Sequence, residues 1–206
     1  MHRKLQNLNA ALAVVVLLVS VLGHVALASN ITIDFNGLSG SNGSPFTSYM
    51  EYGFTVSAIT NNWLVGQNYG NPAPFIYFTT QSAETIAVTD GGATFEFASI
   101  DLYASLTPIP YTFTGFFGGN QVFTVSGQVP NTFGNFATVM NPYSGDVIDT
   151  LDVTLTNPSS NNPMGLDNIV LSTAGSTPEP ASLLLVVSGI ASLGLFRHSA
   201  SKRRRW

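Results

Sequence analysis

The chain has 206 residues, of which 11 are acidic, seven are basic and three are histidine, and it contains no cysteine. Every basic residue and every histidine lies within residues 1–28 or 178–206, so the stretch between holds ten of the 11 carboxylates, all but Glu179, and no cationic side chain. Nucleic-acid binding and phosphate loops need lysine or arginine, Ser-His-Asp catalysis needs histidine, and disulfides and thiolate sites need cysteine, so these classes are excluded.

The N-terminal segment, residues 1–28, has the pattern of a secretory signal peptide. Arg3 and Lys4 give a positive start, residues 12–22 form an apolar run, and residues 26–28 read Ala-Leu-Ala, a small-x-small cleavage site. An uncleaved anchor is the alternative, but polar residues interrupt the run and a spanning helix needs about 20 apolar residues. We therefore predict a signal helix that is removed on export.

The central segment, residues 29–174, is rich in threonine, valine and aromatic residues and has turn residues roughly every eight to twelve positions, without helical periodicity. This pattern predicts one all-β domain, an antiparallel β-sandwich. The predicted strands cover residues 31–35, 53–59, 75–79, 85–88, 94–103, 111–117, 121–129, 136–140, 151–156 and 165–171.

Two of these strands alternate most clearly between apolar and polar residues. In the first, Phe95 and Phe97 fall on one face, and the second places Leu151, Val153 and Leu155 together, so all five should lie in the core. The Gly-Gly pairs at 91–92 and 118–119 supply the positive φ angles of tight hairpins. Neither pair is predicted to form a phosphate loop, because no helix follows it.

The C-terminal segment, residues 175–206, combines an apolar run with a basic end. As a helix, residues 181–196 would be about 24 Å long, close to the roughly 30 Å hydrocarbon core of a bilayer. The positive-inside rule then places residues 197–206 in the cytoplasm and the domain outside. The membrane-stop cluster consists of Arg197, Lys202, Arg203, Arg204 and Arg205.

Residues 177–182 read Thr-Pro-Glu-Pro-Ala-Ser, and together with the leucine-rich run and the terminal arginines they resemble the PEP-CTERM sorting signal of Gram-negative bacteria that make exopolysaccharide. The sorting motif in this resemblance is Pro178-Glu179-Pro180. The resemblance implies processing by an exosortase, cleavage near the motif, and release or transfer of the domain to the cell surface. An ordinary single-span membrane anchor is the alternative.

The motifs between the two ends resemble jelly-roll domains with a galactose-binding-like fold that occur beside this sorting signal. The resemblance is carried by residues 33–35, 52–54, 91–102, 111–125 and 166–169. It implies that the first and last strands are neighbours, and in related domains a structural calcium lies there. Asp34, Asp167 and Asn168 are therefore candidate Ca²⁺ ligands, with solvated turn residues as the alternative.

Aromatic residues in polar loops are candidates for carbohydrate binding, because rings stack on sugar faces while neighbouring amides bond to hydroxyl groups. Trp63 and Tyr69 lie in such a segment, which also contains Asn61, Asn62 and Asn68. Tyr77, Tyr103 and Tyr143 are further candidates. The alternative is that these rings belong to the core, as most aromatic rings of a β-sandwich do.

Catalysis by paired carboxylates is a third hypothesis, since a glycoside is hydrolysed by two acids at a suitable separation. Three of the acids recur every third residue, which alternates the faces of a strand, and about 150 residues is small for a glycosidase. The carboxylates considered are Glu51, Glu84, Glu96, Asp146, Asp149 and Asp152.

The sequence thus predicts a non-enzymatic, exported surface or extracellular-matrix protein that associates with exopolysaccharide. Its expected partners are an exosortase and the membrane, with no nucleic acid or nucleotide, and no cofactor is expected apart from the candidate structural calcium. A lectin-like carbohydrate-binding module is the alternative function, and a small glycoside hydrolase ranks last.

Overall fold

The computed structural model describes residues 29–70 and 72–173, which form thirteen strands and no helix. Within those ranges no segment could therefore cross a bilayer as a helix. The predicted signal helix, the sorting motif and the transmembrane helix lie outside the described residues. The strands are β1 (Asn30–Ile33), β2 (Ser48–Glu51), β3 (Phe54–Ala58), β4 (Leu64–Gly66), β5 (Phe75–Phe78), β6 (Ala83–Thr89), β7 (Phe95–Ala104), β8 (Ile109–Phe117), β9 (Asn120–Val129), β10 (Phe136–Met140), β11 (Val147–Ile148), β12 (Thr150–Thr156) and β13 (Met164–Thr173).

The strands pair into two antiparallel sheets, which confirms the predicted all-β class. One sheet has six strands in the order β2-β3-β6-β12-β8-β9. The other has seven strands, with the order β10-β7-β13-β5-β4. In this second sheet, β1 continues the edge of β13 beyond β5, and β11 continues the edge of β7 beyond β10.

The core lies between the two sheets and follows the predicted alternation. Phe95, Phe97, Leu151, Val153 and Leu155 are all fully buried, as predicted. Rings from the two sheets meet edge to face, since Phe97 lies 5.3 Å from Phe113, measured between ring centroids, at an interplanar angle of 83°. Such pairs contribute roughly 0.5–1.5 kcal/mol beyond their buried area.

The two predicted glycine turns form, but they make different connections. Gly118 and Gly119, with φ of 57° and 77°, join β8 to its neighbour β9 in a hairpin, as predicted. At the other turn, the Ala93 N–H donates to the Asp90 carbonyl at 2.7 Å. That turn connects β6 of the six-stranded sheet to β7 of the seven-stranded sheet, so the hairpin predicted there is wrong.

Candidate functional site

The outward side of the seven-stranded sheet carries a row of aromatic rings. The register of β10, β7, β13 and β5 places Phe136, Tyr103, Gly165 and Tyr77 side by side. Because alternate residues of a strand point to opposite faces, this row lies opposite the core residues Leu102, Leu166 and Ile76 of the same strands. The sheet therefore presents aromatic rings to the side away from the core.

Phe75 extends this row into a cluster. Its ring centroid lies 5.4 Å from that of Tyr103, 5.5 Å from that of Phe136 and 5.5 Å from that of Tyr77. Tyr103 and Phe136 also pack together, at 5.3 Å. Phe75 and Tyr103 are buried, yet they do not belong to the core between the sheets. The aromatic rings thus support one another in fixed positions on the outer face.

Gly165 occupies the centre of the row because no side chain fits there. A Cβ atom at this position would lie 2.3 Å from the Ile76 carbonyl oxygen and 2.8 Å from the Tyr77 Cβ. The glycine pairs with Tyr77 on one side and with Tyr103 on the other. Its missing side chain lets Tyr77 and the β5 backbone lie directly against β13.

A cleft of about 140 Å³ opens over this part of the sheet. Tyr69 projects beside it, 59% exposed, with its ring 6.2 Å from that of Tyr103. This volume is below the roughly 300–1,000 Å³ of pockets that enclose a small molecule, so the cleft suits one unit of a longer chain lying on the surface. Its lining residues are Asn42, Asn68, Tyr69, Phe75, Tyr77, Tyr103 and Pro163.

Hydrogen bonds fix the rim of the cleft. The Gln67 N–H donates to Asn42 Oδ1 at 3.0 Å, and the Gln67 side-chain amide donates to the Leu38 carbonyl at 3.1 Å. Next to the lining residue Pro163, the buried Asn162 accepts from the Leu106 N–H at 2.8 Å and donates to Thr107 Oγ1 at 2.8 Å. The rim is therefore set by the fold before any ligand arrives, which lowers the entropy cost of binding.

A polar row lies next to the aromatic row on the same face. The register places Thr138, Asp101 and Asp167 side by side. Asp101 accepts one hydrogen bond on each carboxylate oxygen, from Thr138 Oγ1 at 2.5 Å and from Asn168 Nδ2 at 2.9 Å. β13 has a bulge here, since its register with β7 shifts after Asp167 and Asn168 has a φ of 45°. Bulges commonly redirect side chains beside functional sites.

The predicted carbohydrate residues separate into two groups. Tyr69, Tyr77 and Tyr103 come together in the cleft with Asn68, although nothing in the structure tests their role in binding. Trp63, in contrast, is fully buried, and its indole N–H donates to the Thr85 carbonyl at 3.2 Å. Its ring packs on Phe78 at 5.0 Å between centroids. The expected exposure of Trp63 is therefore wrong.

The asparagines beside Trp63 have a structural role that explains its burial. The Asn62 side chain donates to Glu84 at 2.5 Å, and Ser82 Oγ donates to the same carboxylate at 2.6 Å. Glu84 is itself buried. The polar segment around Trp63 is thus held down onto β6 and does not form an open loop.

The candidate calcium ligands lie in neighbouring segments, since β1 pairs with β13 as the resemblance implies. Asp34 accepts from the backbone and side-chain amides of Asn36, at 3.0 and 2.7 Å, while Asp167 accepts from the Asn168 N–H at 2.8 Å. Within residues 29–70 and 72–173, no three acidic or histidine side chains come together as a metal site. The calcium site stays a prediction.

The remaining carboxylates are spread over the domain. Asp149 accepts from the Gly118 N–H at 2.6 Å, Asp152 lies on the outer face of the six-stranded sheet, and Glu96 accepts from Ser172 at 3.0 Å. Glu51 accepts from the Asp34 N–H at 3.0 Å, and burial together with the nearby Asp34 charge raises its pKa. None of these four lines the aromatic cleft.

Sequence reasoning missed Phe75, Phe136, Gly165 and Asp101 as parts of the site. Alternation within β5 and β7 would place Phe75 and Tyr77, or Asp101 and Tyr103, on one face. The missing information was the pairing of β10, β7, β13 and β5, because only the register brings the four strands into one row.

No protein-family model and no curated protein sequence matches the chain. Among solved structures, it is similar to a family 29 carbohydrate-binding module from Piromyces equi, with 12% identity and a TM-score of 0.43 over 72% of this chain and 93% of that one. It is also similar to a DUF4465 family protein from Bacteroides caccae, with 9% identity and a TM-score of 0.47 over 71% and 100% of the two chains. A third similar structure is a xylan-binding domain from Paenibacillus barcinonensis, with 13% identity and a TM-score of 0.43 over 75% and 100%. These TM-scores are below 0.5, so the strand order and register above define the fold.

Proposed function

We propose that the protein is exported and binds a neutral polysaccharide at the cell surface through the aromatic cleft, without cleaving it. The observation that carries this proposal is the row of rings on the outer face of the seven-stranded sheet, where Gly165 pairs with Tyr77 on one side and Tyr103 on the other. Aromatic rings at the surface with a fixed orientation bind the apolar faces of sugars at little conformational cost.

The polar groups around the cleft complement sugar hydroxyls. Asn42, Asn68 and the Tyr69 hydroxyl lie at its exposed rim, where they can donate and accept hydrogen bonds. A few convergent polar groups on an apolar surface are the usual composition of a small-molecule site. The cleft therefore has both groups needed to bind a sugar, an apolar platform and a polar rim.

The negative charge of the domain indicates whether its polysaccharide ligand is neutral or acidic. The domain between residues 29 and 177 carries ten carboxylates and no cation, and Asp101 and Asp167 lie in the row beside the aromatic rings. A uronate or sulfate group would meet only like charge there. We therefore infer a neutral chain as the ligand.

Binding without catalysis fits the arrangement of the carboxylates. Asp101 accepts hydrogen bonds on both of its oxygens, from Thr138 and from Asn168, which tie its carboxylate to the neighbouring strands. A carboxylate that cleaves a glycoside must instead reach the substrate, together with a second one at a suitable separation. We assign Asp101 to the support of the site.

The cleft is tested with the purified domain, residues 29–177, and the exopolysaccharide of the producing organism separated by charge into neutral and acidic fractions. We expect the domain to bind the neutral fraction, and Tyr69→Ala and Tyr77→Ala to weaken binding about tenfold, which corresponds to roughly 1.4 kcal/mol. Tyr143→Ala is the matched control, since Tyr143 is 48% exposed, also stacks on one ring, Phe123, and lies outside the cleft. Failure to bind either fraction would disprove the proposal.

Export and sorting form the second half of the proposal, and they are supported by the sequence of the two ends. A signal peptide over residues 1–28 would deliver the domain, and an exosortase would recognise Pro178-Glu179-Pro180 outside the membrane helix at 181–196. The two prolines keep the motif out of a helix and hence accessible. The domain would then reside at the surface or in the extracellular matrix.

Intact mass and terminal peptide mapping of the protein from the native envelope and medium test this half. We expect a species that begins at Ser29 and ends near Pro178 to Pro180. An intact C-terminus at Trp206 would instead identify a plain membrane anchor and remove the sorting proposal, while leaving the binding experiment unaffected.

A further inference from the structure

The domain also contains a long uncharged stretch of sequence. Residues 102–145 contain no acidic, basic or histidine residue, although the domain as a whole is strongly acidic. The stretch includes β8, β9 and β10. It also contains six of the exposed large apolar residues, namely Leu106, Phe117, Val122, Phe133, Met140 and Tyr143. This stretch therefore combines exposed apolar side chains with the absence of charge.

Strand β9 forms the open edge of this uncharged region. It has ten residues and is the last strand of the six-stranded sheet, and among the described residues it pairs with β8 alone. The other outermost strands in the described part of the chain, β1, β2, β4, β10 and β11, have between two and five residues. Long edge strands present unpaired N–H and C=O groups that readily pair with another strand.

β9 lacks the features that usually prevent such pairing. It contains no lysine, no other charged residue and no proline. Its one irregularity is a bulge near the hairpin. The register with β8 shifts after Gly115, so Val122 has no partner residue on β8. From Phe123 to Val129 the pairing is regular. Seven residues of this edge are thus free to extend the sheet.

The two faces of β9 determine how a partner strand would fit. Phe123, Val125 and Val129 pack on the core, while Thr124, Ser126 and Gln128 are exposed on the outer face. Ser126 lies at the centre of the regular segment and bonds to Thr112 of β8 at 3.0 Å between the hydroxyl oxygens. An added strand therefore needs apolar residues on one face and small polar residues on the other.

We propose that β9 pairs with β9 of a second copy, antiparallel and with Ser126 at the two-fold axis. Two-fold pairing places residues of the same face opposite each other, so the apolar face and the hydroxyl face both continue into a twelve-stranded sheet. The proposal does not rest on the proposed function.

Electrostatics favours this edge over the rest of the domain for contact between two acidic copies. β8 and β9 carry no charge, so no like charges face each other across the new strand pair. Asp152 lies on β12, two strands from β9 in each copy, so the two Asp152 positions would be five strands apart, which is about 24 Å at the usual strand spacing. At that distance salt screens most of the repulsion, because the Debye length is about 8 Å at physiological ionic strength.

Disulfide cross-linking tests the pairing directly, because the chain has no cysteine of its own. The full-length Ser126→Cys chain would be extracted in detergent and oxidised with copper phenanthroline, so that the result does not depend on export. We expect most of it to run at twice the monomer mass on a non-reducing gel. The matched control is Thr156→Cys, exposed on the interior strand β12 of the same sheet, which should stay monomeric.

A pair of charge variants gives a second measurement. Ser126→Asp places two carboxylates opposite each other at the axis, whereas Ser126→Asn has nearly the same size and no charge. In detergent, light scattering should find the full-length Asn variant dimeric and the dimer of the Asp variant weakened at least tenfold. A monomeric oxidised Ser126→Cys, equal cross-linking of Thr156→Cys, or equal masses for the Asp and Asn variants would overturn the proposal.

Discussion

The Glu84 carboxylate is 1% exposed in a domain that offers it no cation. Burial alone would raise its pKa, but hydrogen bonds from Asn62, Ser82 and Thr60 outweigh that effect and lower the pKa. A carboxyl group with a lowered pKa stabilises the fold above its usual pKa, and this stability is lost as the pH falls through the folded-state value. Amide and hydroxyl donors thus take the place of a salt bridge.

Glu84→Gln should therefore lower the free energy of unfolding at pH 7 by about 1–3 kcal/mol. The NH₂ group of glutamine is a donor and cannot accept the hydrogen bonds that the surrounding groups donate to the carboxylate. The difference should shrink at pH 3, which lies below the usual pKa of glutamate, because the unfolded chain then takes up a proton and the advantage of the lowered folded-state pKa decreases. Urea unfolding at both pH values measures this. Glu96→Gln, which removes a carboxylate with one bond to Ser172, is the control and should lose less. An equal loss at pH 7 and pH 3 would contradict the assignment.

The pKa of Asp152 is shifted in the opposite direction to that of Glu84. It lies on the outer face of the six-stranded sheet between Ala87 and Thr114, and burial raises its pKa. A carboxyl group with a raised pKa binds its proton more tightly in the folded state, so ionisation destabilises the fold above that pKa. Asp152→Asn should raise the free energy of unfolding at pH 7, and the gain should vanish by pH 3. A loss of stability at pH 7 in urea unfolding would contradict this.

At the scale of strands, Gly165 in β13 is a position where an added Cβ atom would disturb both the sheet and the neighbouring cleft. Gly165→Ala places a Cβ 2.3 Å from the Ile76 carbonyl oxygen, so we expect a loss of about 1–3 kcal/mol from overpacking and weaker polysaccharide binding. Gly145→Ala is the control, since a Cβ there has no heavy atom within 4 Å. If urea unfolding finds both variants as stable as wild type, β13 accommodates the added Cβ atom without strain and the prediction is wrong.

All ten predicted strands exist, because long runs of β-branched and aromatic residues between turn residues depend only on local sequence. The strands that were missed, β2, β4 and β11, have two to four residues, too few for a period of two to appear. The turn at Asp90 was predicted correctly as a turn but assigned to the wrong connection. A turn signal indicates reversal and does not indicate which sheet receives the next strand.

The candidate site was only partly predictable for the same reason. Tyr69, Tyr77 and Tyr103 could be named as aromatic residues with a polar tip, but their meeting depends on strand register. Trp63 was misplaced because its neighbours Asn61 and Asn62 look like loop residues. The donor groups of Asn62 and Trp63 in fact bond to Glu84 and Thr85, which sequence spacing does not reveal.

At the scale of the whole molecule, net charge sets how the domain responds to salt. Ten carboxylates without a cation repel one another within one small domain. Raising NaCl from 10 mM to 0.5 M shortens the Debye length from about 30 Å to a few ångströms. The melting temperature of the domain, residues 29–177, should therefore rise by a few degrees, which differential scanning calorimetry would measure with sucrose of equal osmolality as the control. A fall in melting temperature would contradict this.

Strand β13 has a mechanical consequence. It is hydrogen-bonded along both edges, to β7 on one side and to β5 and β1 on the other. Gly165, near its beginning, pairs with Tyr77 and Tyr103 of the proposed sugar cleft, and Thr173, at its end, precedes the tail in the sequence. A polysaccharide held in the cleft and an anchor pulling on the tail would therefore apply tension along this one strand. The ladder bonds on both edges would share that load in shear, a geometry that resists force better than one in which bonds open singly.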